Sequence, residues 1–121
     1  MKGKLTLAVG RPAPGKAVLR IEGSIDPNTF KKFQATFSWL NKHGILYVVV
    51  DMARLTYISS SGLSILVKAK TERMKRKGDV VLVRPQSPIY NIMRILGLMD
   101  FFRIASSVEE ALHPPVPPDP E

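Results

Sequence analysis

Three polar spots in the chain carry residue types that could do chemistry: Asp26, Asp51 and the run Ser59-Ser60-Ser61-Gly62. An amphipathic segment follows the serines, so their hydroxyls sit at a helix N-terminus, beside unpaired N–H groups and the positive end of the helix dipole. One serine would suffice as an N-cap. Three followed by glycine exceed that need, and a phosphate there would place about −1.5 to −2 charges at the favourable end of the dipole. Capping and phosphate acceptance both remain open on chemistry alone. Asp26 precedes Pro27 and reads as an N-cap with proline in the first helical position. Asp51 closes an apolar run and reads as a strand-end turn former.

Hydrolysis and nucleotide chemistry fail on parts. The serines lie in no Gly-x-Ser-x-Gly elbow, and neither Ser59, Ser60, Ser61 nor Ser64 has a lysine three residues on. Gly62 runs into Leu63-Ser64, which rules out a phosphate-binding Gly-Lys-Ser/Thr loop. His43 and His113 are the only histidines, and cysteine is absent, which excludes a disulfide scaffold, a Cys-ligated zinc site and a thiol nucleophile together. No catalytic residue, metal or cofactor is expected. The chain reads as a non-enzyme.

The elements that must position the polar spots follow from hydrophobic period. Leu5, Leu7 and Val9 alternate with polar or small residues, and so do Ala17, Leu19 and Ile21, giving a hairpin across Arg11-Pro12-Ala13-Pro14-Gly15. Phe30, Phe33, Phe37 and Leu40 form one helix face that Gly44 stops. The run Ile45–Val50 predicts a strand buried on both faces. A helix then runs from the serines to Lys77 and closes at Gly78. Val80–Val83 predicts a further strand, Ser87-Pro88 opens a helix with Ile89, Ile92, Met93 and Leu96 on one face, and Phe101–Ile104 predicts an edge strand. Ser106 or Ser107 caps a last helix to Leu112. The order β-β-α-β-α-β-α-β-α predicts one α/β domain over residues 1–112, with a mixed sheet of about five strands and about four helices packed mainly on one side. Five prolines in residues 113–121 predict a disordered tail.

Charge is unevenly placed. Residues 1–99 hold 17 of the 18 basic side chains and half of the ten acidic ones. Six of the ten residues 68–77 are basic: Lys68, Lys70, Arg73, Lys75, Arg76 and Lys77. They read either as a surface for an anionic partner or as a solvated helix end. No aromatic residues interleave with them, so nucleic acid is not an expected partner. The longest apolar run is Ile45–Val50, far short of the roughly 20 residues of a membrane span, and Arg11 comes too early for a signal-peptide core. The expectation is a cytoplasmic protein.

Taken in order, four short motifs resemble one family. They are Gly23-Ser24-Ile25-Asp26 with Thr29; Val48-Val49-Val50-Asp51 followed by Tyr57-Ile58-Ser59-Ser60-Ser61-Gly62-Leu63; Ser87-Pro88; and Gly97-Leu98. Over roughly residues 5–112 the chain is similar to STAS domains, specifically bacterial anti-sigma-factor antagonists. The resemblance implies partner switching: the unmodified antagonist binds an anti-sigma factor that is also a serine kinase of the histidine-kinase-like ATPase fold, and phosphorylation releases it. A phosphatase that reverses the mark is a further implied partner. Residue by residue, the implied phosphate acceptor is Ser60, with Ser61 the second choice. Asp26, Asp51, Ser59, Ser61 and Gly62 are the implied partner-binding positions. Ser59 stands where the family has an aspartate. Two other roles fit the same resemblance: a STAS subunit of a lipid-transport ATPase complex, and a signalling scaffold without phosphorylation.

Overall fold

The computed structural model describes residues 4–113. The expected tail lies, apart from His113, outside the described residues. Nine elements follow in order: β1 (Leu5–Ala13), β2 (Lys16–Ile25), α1 (Phe30–Lys42), β3 (Tyr47–Ile58), α2 (Ser60–Met74), β4 (Asp79–Val83), α3 (Ser87–Ile95), β5 (Ile104–Ala105) and α4 (Val108–Leu112). The sheet order is β1-β2-β3-β4-β5, with β1 antiparallel to β2 and every other pair parallel.

Because the parallel strands lie side by side in chain order, right-handed crossovers send the connecting helices to one face. There α1, α2 and α3 cover Ala17, Leu19, Ile21, Val48, Val50, Val80 and Leu82 with Phe33, Phe37, Leu40, Leu63, Leu66, Ile89 and Met93. The intervening residues Val18, Val49, Val81 and Val83 point the other way and pack with Ala111 of α4. Period-two alternation within continuous valine runs therefore feeds two cores, which is why Val48–Val50 of β3 and Val80–Val83 of β4 show no polar face. The expected architecture is the observed one.

Local boundaries differ from expectation in instructive places. Helix α1 becomes regular at Phe30 rather than at Pro27, because a separate leading turn, described below, occupies residues 26–29. Strand β3 does not end at Asp51: past it the strand stays paired to β2, through Glu22↔Arg54 and Ile25↔Ile58, and two bulges absorb the extra residues. At the third helix Gln86 is the N-cap and Ser87 is already helical. The strand expected at Phe101–Ile104 shrinks to Ile104–Ala105, since Phe101 and Phe102 both turn back to donate to the Leu98 carbonyl. Phe102 is buried in the helix-side core.

The close of α2 also moves. Regular helix ends at Met74, and Lys77, with φ 62°, takes the left-handed position expected of Gly78. Gly78 serves close approach instead: a Cβ there would stand 2.1 Å from the Leu46 carbonyl oxygen.

Candidate functional site

Strand ends β2 and β3 finish together, at Ile25↔Ile58, and the Ser59 N–H donates to the Ile25 carbonyl at 2.9 Å. Asp26 and Ser59 are thereby neighbours across the sheet's C-terminal edge, the edge where α/β folds place their sites. Around Asp26 a tight network forms. Its Oδ1 accepts from the backbone N–H of Asn28 (2.8 Å) and Thr29 (3.1 Å), and its Oδ2 from the Ser24 hydroxyl (3.1 Å). In return the Asp26 N–H donates to Thr29 Oγ1 at 2.9 Å, a reciprocal capping arrangement over the leading turn. Partial desolvation pushes the Asp26 carboxyl up, but hydrogen bonds from Asn28, Ser24 and Thr29 outweigh it and hold the group below its ordinary value. Asp26 is an ionised cap at neutral pH.

The serine run divides its labour. Ser59, in extended conformation, is the N-cap of α2, its Oγ accepting from the Gly62 N–H at 3.2 Å. Gly62 is buried, and a Cβ there would lie 2.7 Å from Ile58 Cγ1 and 2.9 Å from Ile25 Cγ2. Glycine here lets the helix start sit directly on the two strand ends. Ser60 and Ser61, by contrast, are exposed, and among the described residues their hydroxyls have no hydrogen-bond partner. A free hydroxyl in the first turn of a helix can accept a phosphoryl group without breaking any internal bond.

Beside Ser60 lies an open groove of about 380 Å³ lined by Leu63, Ser64, Val67, Lys68, Leu96 and Leu98. Helix α3 extends this apolar surface outward. Ile89 and Met93 face the core, but Ile92, Ile95 and Leu96 are exposed, at 41%, 73% and 58%. Ile92 and Leu96, expected on one helical face with Ile89 and Met93, lie apart from that buried pair and form an exposed ridge. The signal was present: five apolar residues at 89, 92, 93, 95 and 96 are more than one helix stripe can bury. Tyr57, half exposed and paired with Ser24 in the sheet, is a further residue at this edge that the sequence did not single out as a contact.

Asp51 is not part of this assembly. It pairs in register with Arg20, five β2 residues before Ile25, which at ~3.3 Å per residue puts it about 16 Å down the sheet. Its side chain caps the Ala53 N–H (3.1 Å), approaches Arg20 Nε (3.8 Å), and faces a separate hollow with Glu22, Arg54 and Arg84. Of the implied contact residues, the structure brings Asp26 and the serines together and sets Asp51 apart from them along the sheet. The histidines also lie elsewhere: His43 stacks on Trp39 at the far end of α1, and His113 follows α4.

The other end of α2 was overcounted. Lys70 is buried and pairs with Asp79, while Arg73, only 3% exposed, donates to the carbonyls of Ile45 (3.1 Å) and Ala69 (3.2 Å) and to Asn41 Oδ1 (2.9 Å). Burial pushes the Arg73 guanidinium below its usual value, against the pull of Glu72. Of the six basic residues only Lys68, Lys75, Arg76 and Lys77 face solvent.

With this geometry in place, comparison with known proteins is decisive on family. The sequence pattern of the STAS domain matches residues 9–111. The chain belongs to the STAS domain family. BtrV of Bordetella bronchiseptica, named as an anti-sigma factor antagonist, is 26% identical over 97 residues, spanning 80% of this chain and 84% of its own. Among solved structures, an anti-sigma factor antagonist from Mycobacterium paratuberculosis superposes with a TM-score of 0.78 at 21% identity, covering 90% of this chain and 92% of its own. The anti-sigma factor antagonist SpoIIAA in its unphosphorylated form gives 0.77 at 19%, covering 88% and 93%; its phosphorylated form, from Bacillus, gives 0.71. These superpositions carry the STAS fold. No helix among the described residues is long and apolar enough to cross a membrane.

Proposed function

We propose that this STAS domain is an anti-sigma-factor antagonist working by partner switching. Its Ser60 edge binds an anti-sigma factor that is also a serine kinase of the histidine-kinase-like ATPase fold, and phosphorylation of Ser60 breaks the complex. The observation that carries the reading is the Ser60 hydroxyl: exposed, unbonded, and set at the lip of an apolar groove. The groove and the Ile92–Leu96 ridge supply desolvated contact area, and Ser60 sits where added charge would be trapped inside it. A phosphate there, with the Asp26 carboxylate at the same edge, would meet both like charge and loss of water. Ser61, equally exposed, is the second candidate acceptor. Asp26, Ser59, Ser61 and Gly62 are the proposed contacts around it, with Asp51 farther down the sheet. A phosphatase would reset the switch.

The experiment is phosphorylation by the anti-sigma kinase of the same genome, with the modified residue located by mass spectrometry. Label on Ser60 supports the proposal. Label confined to Ser61, or none from a kinase that binds the chain, overturns the assignment.

A further inference from the structure

A second groove flanks α2 on its other side, between α1 and α2, and encloses about 720 Å³. Lys31, Lys42 and Lys68 line it, with Glu72 as its one carboxylate. Helix α1 contains no acidic residue at all. The three lysines are exposed, and among the described residues none of them forms an ion pair. Between them the wall is less polar: Ala35, Ile65 and buried Ala69, closed at one end by Trp39. This indole is 40% exposed, stacks on His43 with centroids 4.0 Å apart, and has the Arg11 guanidinium 5.9 Å from its centre. Exposed tryptophan is enriched at the centres of protein interfaces.

We propose that the α1–α2 groove docks an acidic, extended segment of a partner protein carrying at least one aliphatic side chain. Three observations select this occupant. Charge complementarity requires an anion. The groove runs from Lys31 to Lys42, eleven residues of helix or about 16 Å, which spans roughly five residues of extended chain. Its apolar wall is small, Ala35, Ile65 and buried Ala69 beside polar Gln34, Ser38 and Asn41, an area that suits one aliphatic side chain rather than a lipid surface, and His43 already stacks on the indole that a nucleobase would use. The surface is separate from the Ser60 groove: the two share only Lys68, on the crest of α2. It would let the protein hold a second, acidic partner while the Ser60 edge is engaged or released.

Trp39 is the chain's single tryptophan and lines both this groove and a hollow with Val9, Arg11 and Lys32, so its emission reports binding and amide shifts assign the groove. The test titrates the protein with a short synthetic peptide alternating glutamate pairs with leucine, and in parallel with the same peptide carrying glutamine for glutamate. The expected result is a Trp39 spectral change with the acidic peptide alone, weakening as salt is added, and amide shift changes on the unmodified protein centred on Ala35, Trp39, Ile65 and Lys68. Replacing all three lysines (Lys31→Glu, Lys42→Glu, Lys68→Glu) should lower the affinity about tenfold or more. Equal response to the glutamine peptide, or shift changes elsewhere on the protein, overturns the proposal. So does a Trp39 change with phosphatidylserine vesicles and none with the acidic peptide, which would make this a membrane face.

Discussion

Helix α2 ends in two opposite ways. At its start, short polar side chains face outward with nothing to bond; at its close, long cationic side chains that look like a surface patch turn inward. The difference is reach. A serine hydroxyl at a helix start can touch only its own backbone, so once Ser59 takes the N-cap, Ser60 and Ser61 are left free. Lysine and arginine carry flexible stems that bury easily while the head finds a distant acceptor, as Lys70 does at Asp79 and Arg73 at the Ile45 carbonyl. Free polar groups at a helix start are therefore readable from sequence as available for chemistry. A run of cations is not readable as a surface.

The sharpest way to break this contrast is at the closing end. Arg73→Ala should remove a guanidinium that ties α2 to the α1–β3 connection, take the side-chain donor from the Ile45 carbonyl and leave a void, costing about 3 kcal/mol by denaturant titration. A loss under about 0.5 kcal/mol would mean that Arg73 is a surface residue after all. At the opening end, Gly62→Ala forces a methyl against Ile58 and Ile25, and should cost about 1–3 kcal/mol. A neutral substitution would show that α2 need not sit so closely on the strand ends.

Asp26→Asn tests the cap beside the serines through its pH dependence. The folded-state pKa of Asp26 lies below its unfolded value, so its charge contributes stability above the unfolded pKa of about 3.9, and that contribution is lost as pH falls through the lower folded value. The variant should melt a few degrees lower at pH 7, and the gap should close under acid. A gap independent of pH would point to side-chain shape rather than charge. Smallest of all, Arg76→Ala should change stability by less than about 0.5 kcal/mol, because Arg76 is exposed. Together Arg73 and Arg76 compare one residue type three positions apart on the same segment.

Much of this was legible beforehand, and the misses share causes. Alternation at Ala17–Ile21 and the 3–4 spacing at Phe30–Leu40 gave strands and helix correctly because each buries one defined face. Asp51 misled because a charged residue was taken to end β3. Here bulges let the strand continue past it while the β3–β4 ladder stops at Asp51↔Val83. The Asp26 network was half visible: an aspartate before proline signalled a cap, but the reciprocal role of Thr29 depends on a turn that precedes the regular helix. Exposure on α3 was hidden because period alone assigns every apolar residue to the nearest face. That three serines exceed what one cap needs was visible in the sequence; that Ser59 is the one that caps depends on its extended backbone and was not.

If charge at Ser60 disrupts a bound partner, calorimetry reads the loss directly. The anti-sigma factor of the same genome would be titrated with the unmodified chain and with the chain phosphorylated at Ser60. Two added charges inside a desolvated contact should weaken binding by about tenfold or more. Equal affinities for the two forms would contradict the switch.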